Sequence, residues 1–169
     1  AKRFHGVRIA VARDAAFSFI YRDNIRFLEH LGAEIIYFSP INDEKTPDGI
    51  NGLMLFGGYP ELFAEKLSEN RSMMQSIKEK IKRGLPIIAE CGGFMYLHDT
   101  LAIDDKHTYP MVGVIPGKAF PTAKLQRFGY VRLYAKENNL LCNKNEELLA
   151  HEFHYWDCTE NGTAFLAKK

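Results

Sequence analysis

With 169 residues, 46% of them apolar and 25% charged, the chain is long enough to bury one sizeable core and too apolar to be disordered. Its 22 basic and 21 acidic residues leave a net charge of +1, without the basic excess of a nucleic-acid-binding face, and no apolar run approaches the roughly 18 residues that span a bilayer. Three cysteines with no Cys-x-x-Cys pair argue against a disulfide scaffold or a zinc site. With no signal peptide ahead of the first strand, the expected compartment is a reducing cytoplasm.

Val7–Ala12 (VRIAVA) is a short apolar run suited to a buried parallel strand. Arg22–Leu31 places Ile25, Phe27, Leu28 and Leu31 on one predicted helical face, closed by Gly32 as a C-cap. Glu34–Phe38 reads as the second strand, Ser39–Gly49 as a turn-rich stretch, and Gly52–Phe56 as the third strand, ending at Gly57-Gly58. Asn70–Arg83 is an amphipathic helix with Asn70 as its natural N-cap, ended by Gly84 and Pro86. Leu85–Ala89 is the fourth strand, and Gly93–Asp99 the next helix.

This alternation predicts an α/β fold with a mostly parallel central sheet and helices on both faces. The second half changes character. Met111–Pro116, Tyr130–Tyr134, Ala150–Tyr155 and Ala164–Ala167 read as strands with few helices between, which predicts an antiparallel extension. No repeat, low-complexity tract or linker divides the chain, so residues 1–169 are one expected domain. It starts at Ala1 rather than Met and stops at Lys169 directly after a strand, the expectation for a domain cut from a longer protein.

The chemistry concentrates at Ala89-Glu90-Cys91-Gly92-Gly93. A buried strand runs into a nucleophile candidate with small residues behind it and a helix following, the arrangement of a nucleophile elbow. A sulfur at a helix N-terminus is expected to be drawn toward thiolate, and the Gly92 N–H to face an oxyanion. Phe56-Gly57-Gly58-Tyr59-Pro60-Glu61 also ends a parallel strand, on the rim where such sheets bind ligands, and its glycine N–H groups are candidates for the rest of an oxyanion hole. Cys142 and Cys158 lack such surroundings and read as structural. Glu90 either orients the ammonium of a bound amino acid or caps the elbow.

The segments Gly57–Glu65 (GGYPELFAE), Ser68–Ser72 (SENRS), Ala89–Leu97 (AECGGFMYL), Tyr109–Gly117 (YPMVGVIPG), Leu125–Val131 (LQRFGYV) and His151–Tyr155 (HEFHY) closely resemble, in order, the glutamine amidotransferase domain of the cobyrinate a,c-diamide synthase family. The resemblance implies a class I, flavodoxin-like glutaminase fold, a nucleophilic cysteine at Cys91, and Gly57 and Gly58 beside the glutamine carbonyl. It implies that ammonia from glutamine passes to an N-terminal synthetase domain, a carbon–nitrogen ligase of cobalamin biosynthesis. There ATP and magnesium would activate the a and c acetate groups of a corrinoid. A related family acting on nickel-sirohydrochlorin carries the same motifs. The Gly-x-x-x-x-Gly-Lys-Ser/Thr loop expected of the synthetase is not in this sequence, so ATP and magnesium are expected on a domain outside it.

A thiol attacking an amide needs a base, and the histidines are His5, His30, His98, His107, His151 and His154. His98 is expected to point away from the elbow. Only His151 and His154 come late enough for the triad order of this class, and at i and i+3 on a strand they face opposite sides. In one reading His154 is the base, with Glu152 or Asp157 orienting it. In the other the resemblance places the base in a Tyr-Leu-His segment beyond residue 169, HEFHY is structural or substrate-facing, and the chain by itself turns glutamine over weakly. Arg127 is either a contact to the corrinoid or the partner domain, or a surface ion pair. Two further functions compete: a non-catalytic docking module for a synthetase, and a cysteine hydrolase of flavodoxin-like architecture.

Overall fold

The structure is a computed structural model and describes residues 3–169, so that Ala1 lies outside it. Four parallel strands form the first sheet: β1 (Arg8–Ala12), β2 (Glu34–Phe38), β3 (Gly52–Leu55) and β4 (Ile87–Ala89), in the order β2-β1-β3-β4. Helix α1 (Arg22–His30) links β1 to β2. A 3₁₀ turn at Pro60–Phe63, then α2 (Ala64–Glu69) and α3 (Arg71–Lys82), links β3 to β4.

The first crossover steps one way from β1 and the later ones step the other way, so right-handed connections put α1 and α3 on opposite faces. Strand alternation sorts the core accordingly. Ala10, Ala12, Leu53 and Leu55 pack with Met73, Met74 and Ile77 of α3, whereas Val11 and Phe56 pack with Ile25 of α1. Strand order reverses between β1 and β3, and ligands of open α/β sheets sit at such a switch point, outside the strands' carboxyl ends.

The periodic segments form where their residues predict, with three corrections. Ile25 is the buried apolar residue of α1, but Phe27 lies round the helix from it and is 63% exposed. The helix after the elbow, α4, spans only Gly92–Tyr96, and β5 (His98–Ala102) begins where the helix was expected to continue. The carbonyls of Leu97, His98 and Asp99 are taken by the N–H groups of Ile115, Gly113 and Met111, so tertiary pairing overrides local helix preference there. The same bonds leave Met111–Val114 irregular, and the strands lie on either side, at β6 (Thr108–Pro110) and β7 (Ile115–Pro121).

The second half makes two sheets in place of one extension. β10 (Trp156–Cys158), β7, β5 and β6 form a mixed sheet in that order, with β5 and β7 parallel. β8 (Arg127–Ala135), β9 (Glu147–His154) and β11 (Phe165–Lys168) form an antiparallel sheet in the order β11-β8-β9. Among the described residues no helix is long and apolar enough to cross a membrane.

Candidate active site

Cys91 follows Glu90 in the two-residue turn between β4 and α4, with φ 51° and ψ −115°, a conformation that L-residues avoid and that nucleophile elbows use. Neighbouring backbone holds it there. Glu90 N–H donates to Leu55 O at 2.9 Å, Gly93 N–H to Phe56 O at 3.1 Å, and Met95 N–H to Cys91 O at 3.0 Å. The turn closes only with glycine behind it: a Cβ on Gly93 would drive into the Leu55 carbonyl, and one on Gly92 would lie 2.7 Å from Pro60 Cδ. The elbow is thus clamped to the end of β3.

The other wall is Gly57-Gly58. A Cβ at Gly57 would stand 3.2 Å from Cys91 Cβ and 3.4 Å from its Sγ, and a Cβ at Gly58 would overlap the Ala16 carbonyl. Gly57 O accepts from Phe19 N–H at 3.1 Å, and Ala16 O accepts from Tyr59 N–H at 3.0 Å, so the loop after β1 pairs with the loop after β3 across the switch point. Phe19 and Tyr59 meet edge to face, with centroids 5.1 Å apart.

The residue Cys91 is exposed, yet the thiol is held above its ordinary pKa. Desolvation of the sulfur among Gly57, Gly58 and the elbow is the main cause. The backbone N–H groups of Gly92 and Gly58 oppose it, while the nearby carboxyls of Glu61 and Glu90 add to it. This corrects the expectation of a helix-stabilised thiolate. α4 has five residues, too few for a strong dipole, and desolvation of the sulfur outweighs the N–H groups of Gly92, at its N-terminus, and Gly58. Glu61 is itself pushed up by burial. A neutral thiol needs a proton acceptor before it can attack.

The other predicted residues gather elsewhere. Arg127 and His154 are register partners on β8 and β9, and both engage Glu152: Arg127 Nη1 lies 3.6 Å and His154 Nε2 3.9 Å from Glu152 Oε2. His154 Nδ1 lies 2.6 Å from the Trp156 carbonyl oxygen, and Asp157 Oδ1 accepts from Cys158 N–H. His154 therefore belongs to the β11-β8-β9 sheet, which shares no strand with the sheet carrying the elbow. His151 faces the other side, edge to face with Phe128 and Tyr130. His98 is 0% exposed, with Nδ1 3.0 Å from Phe94 O and Nε2 3.2 Å from Glu160 O. His107 pairs with Asp104 on the surface, and His30 ends α1. Burial pushes the Cys158 thiol up to about 11, the state of an inert structural cysteine.

Asp14 is the positioning residue that motif reading passes over. Its Oδ1 accepts from the N–H of Ala16 and Phe17, and its Oδ2 from Ser39 Oγ and Ile41 N–H at 2.9 Å each. That carboxylate ties the segment facing Gly57-Gly58 to the end of β2. An aspartate two residues past a strand, bonding the backbone just after it, is the available local signal.

The CobB/CobQ-like glutamine amidotransferase domain family matches residues 8–167. The chain is 48% identical over 149 residues to a cobyrinate a,c-diamide synthase of Caldanaerobacter subterraneus subsp. tengcongensis, covering 88% of this chain and 33% of that protein. It is 44% identical over 168 residues to one of Picrophilus torridus, covering 99% of this chain and 37% of that protein. The chain thus spans about a third of the length of these curated relatives. Among solved structures, PurLQS of Thermotoga maritima superposes with a TM-score of 0.64 at 18% identity over 96% of this chain and 75% of that one. A glutamine amidotransferase superposes at 0.61 and 15% identity over 91% and 75%, which supports the class I amidotransferase fold. With a strained cysteine elbow facing paired glycine loops and a family match over almost its whole length, the chain belongs to the CobB/CobQ-like glutamine amidotransferase domains.

Proposed function

We propose that this chain is the glutaminase portion of a cobyrinate a,c-diamide synthase, with Cys91 as its nucleophile. The observation that carries the reading is the Cys91 elbow, at φ 51°, clamped against Gly57-Gly58. The sulfur attacks the glutamine side-chain amide and gives up its proton to a base. The tetrahedral oxyanion is held by the N–H groups of Gly58 and Gly92, which already face the sulfur. Ammonia leaves after taking the proton back, and a glutamyl thioester remains. Water then attacks the thioester, releasing glutamate and restoring the thiol.

The raised thiol makes the base indispensable. The groups acting on Cys91 are the Gly58 and Gly92 N–H donors and two carboxyls, while the His154 ring is occupied by Trp156 and Glu152. We therefore assign the base to a histidine outside this chain and read the Arg127–Glu152–His154 cluster as structural. By itself the chain turns glutamine over slowly. The acceptor carboxylates, ATP and magnesium belong to the synthetase portion of a longer protein. The names of the relatives favour cobyrinate over nickel-sirohydrochlorin as acceptor.

The test is labelling by 6-diazo-5-oxo-L-norleucine, read by peptide mass spectrometry. A single adduct on the Cys91 peptide, competed by glutamine and lost in Cys91→Ser, is the expected result. A Cys91 that reacts with iodoacetamide but ignores the glutamine analogue would make the domain a docking module.

A further inference from the structure

Two segments that the glutaminase chemistry leaves unused, Leu125–Val131 and His151–Tyr155, meet on one face of the β11-β8-β9 sheet. Phe128 stands opposite Phe153, Tyr130 opposite His151 and Arg132 opposite Leu149, so strand alternation aims all six side chains to the same side. The rings form one edge-to-face ladder. Tyr155 meets Phe153 at 6.0 Å, Phe153 meets Phe128 at 5.8 Å, Phe128 meets His151 at 6.0 Å, and His151 meets Tyr130 at 5.3 Å. The ladder faces outward. Tyr130 is 84% and Leu149 76% exposed, and Phe128, Phe153 and Tyr155 are each more than half exposed. The other face of the strand pair carries the buried Val131 and Ala135 and the Arg127–Glu152–His154 cluster.

An antiparallel sheet that turns one face to water places polar residues there. Here that face is aromatic. At roughly 200 Å² for a whole aromatic side chain, the exposed parts of Phe128, Tyr130, Phe153, Tyr155 and Leu149 come to on the order of 600 Å². That is the top of the roughly 300–600 Å² of the largest patch on an ordinary monomer, and counted on both partners it falls within the roughly 600–1,500 Å² of an interface between domains of one chain. The relatives at 48% and 44% identity have about two-thirds of their length outside the region this chain matches. A covalently linked neighbour is present at millimolar effective concentration, so a patch of this size is enough to hold it, whereas a free second copy needs about 800 Å² a side. We propose that the face carrying Phe128, Tyr130, His151 and Phe153 is the docking surface for the synthetase portion of the longer protein, which covers the ladder with an apolar patch of its own. The choice of occupant rests on the reading of this chain as the glutaminase portion of such a protein. The two portions are then tied through a different sheet from the one that presents Cys91.

Photocrosslinking in the longer protein tests this, with Tyr130→p-benzoylphenylalanine and peptide mass spectrometry. Crosslinks from position 130 to peptides of the synthetase portion are the expected result. Crosslinks to a second copy or to the glutaminase portion itself, or none above the level given by Phe27→p-benzoylphenylalanine on the exposed side of α1, overturn the assignment. The functional readout is the ratio of glutamine-driven to ammonia-driven amidation of cobyrinate. Tyr130→Ser/Phe153→Ser lowers that ratio at least tenfold, because ammonia added to the solution bypasses a misdocked glutaminase. Phe27→Ser/Leu140→Ser, which removes exposed apolar groups elsewhere, leaves it unchanged. An unchanged ratio in the first variant, or equal loss in both, overturns the docking surface. Labelling of Cys91 by 6-diazo-5-oxo-L-norleucine on the same samples separates the two readings. Labelled protein without the crosslink loses only the surface, and crosslinked protein with an unlabelled Cys91 keeps the surface but not the glutaminase.

Discussion

Removing the Asp14 carboxylate tests whether the site is held from behind. Asp14→Ala strands three backbone N–H groups (Ala16, Phe17 and Ile41) and the Ser39 hydroxyl. Hydrogen bonds to a charged group contribute roughly 1.5–3 kcal/mol each, and partial water access takes these to the lower end or below it, so the loss is about 4 kcal/mol in all. In a domain of this size that lowers the melting midpoint by roughly 8–16 °C. Asp14→Asn keeps both bonds to the Ala16–Phe17 turn if its oxygen takes that side. Its amide then meets the Ile41 N–H without accepting, for a loss of about 1–2 kcal/mol. The same change loosens Ala16 O and Phe19 N–H, which hold Tyr59 and Gly57, so the alkylation rate of Cys91 shifts with stability. Urea denaturation and iodoacetamide kinetics on the two variants provide the measurements. An Asp14→Ala protein within about 0.5 kcal/mol of the parent, the range of an ordinary surface change, would refute the positioning role.

Two other expectations follow from the same geometry. Gly93→Ala forces a methyl into the Leu55 carbonyl and side chain, where overpacking costs about 1–3 kcal/mol. Denaturant midpoints should fall, and glutamine-analogue labelling should fall with them; an unaffected midpoint would mean that elbow and strand are not clamped. Thiolate is the alkylating species and burial raises the Cys91 thiol, so its iodoacetamide rate climbs with pH through an inflection above that of a free cysteine peptide. Cys158, at about 11, lags further. A Cys91 inflection below the peptide's would restore the helix-stabilised thiolate.

The elbow and the α/β frame were legible because both are written locally. β1 to β4 are short apolar runs between turn residues, and Ala89–Gly93 places a cysteine between a strand and two glycines. Asn70 is the N-cap its position predicts, accepting from Met73 N–H while its amide donates to Pro40 O and Asp43 O. His98–Ala102 was not legible. Its strand character comes from pairing with β6 and β7, and HDTLA by itself continues a helix as readily.

The residues by themselves determined which side chains can carry chemistry, the strand–turn–helix order that exposes Cys91, and the family to which those motifs belong. Folding decided the rest. It set the direction of the thiol's shift, because the desolvation and the Glu61 carboxyl act on the sulfur only once β3 and β4 are adjacent. It drew Arg127, Glu152 and His154 into a cluster on a different sheet from the elbow. Charge and burial act through space, and space between distant residues exists only after the chain has folded.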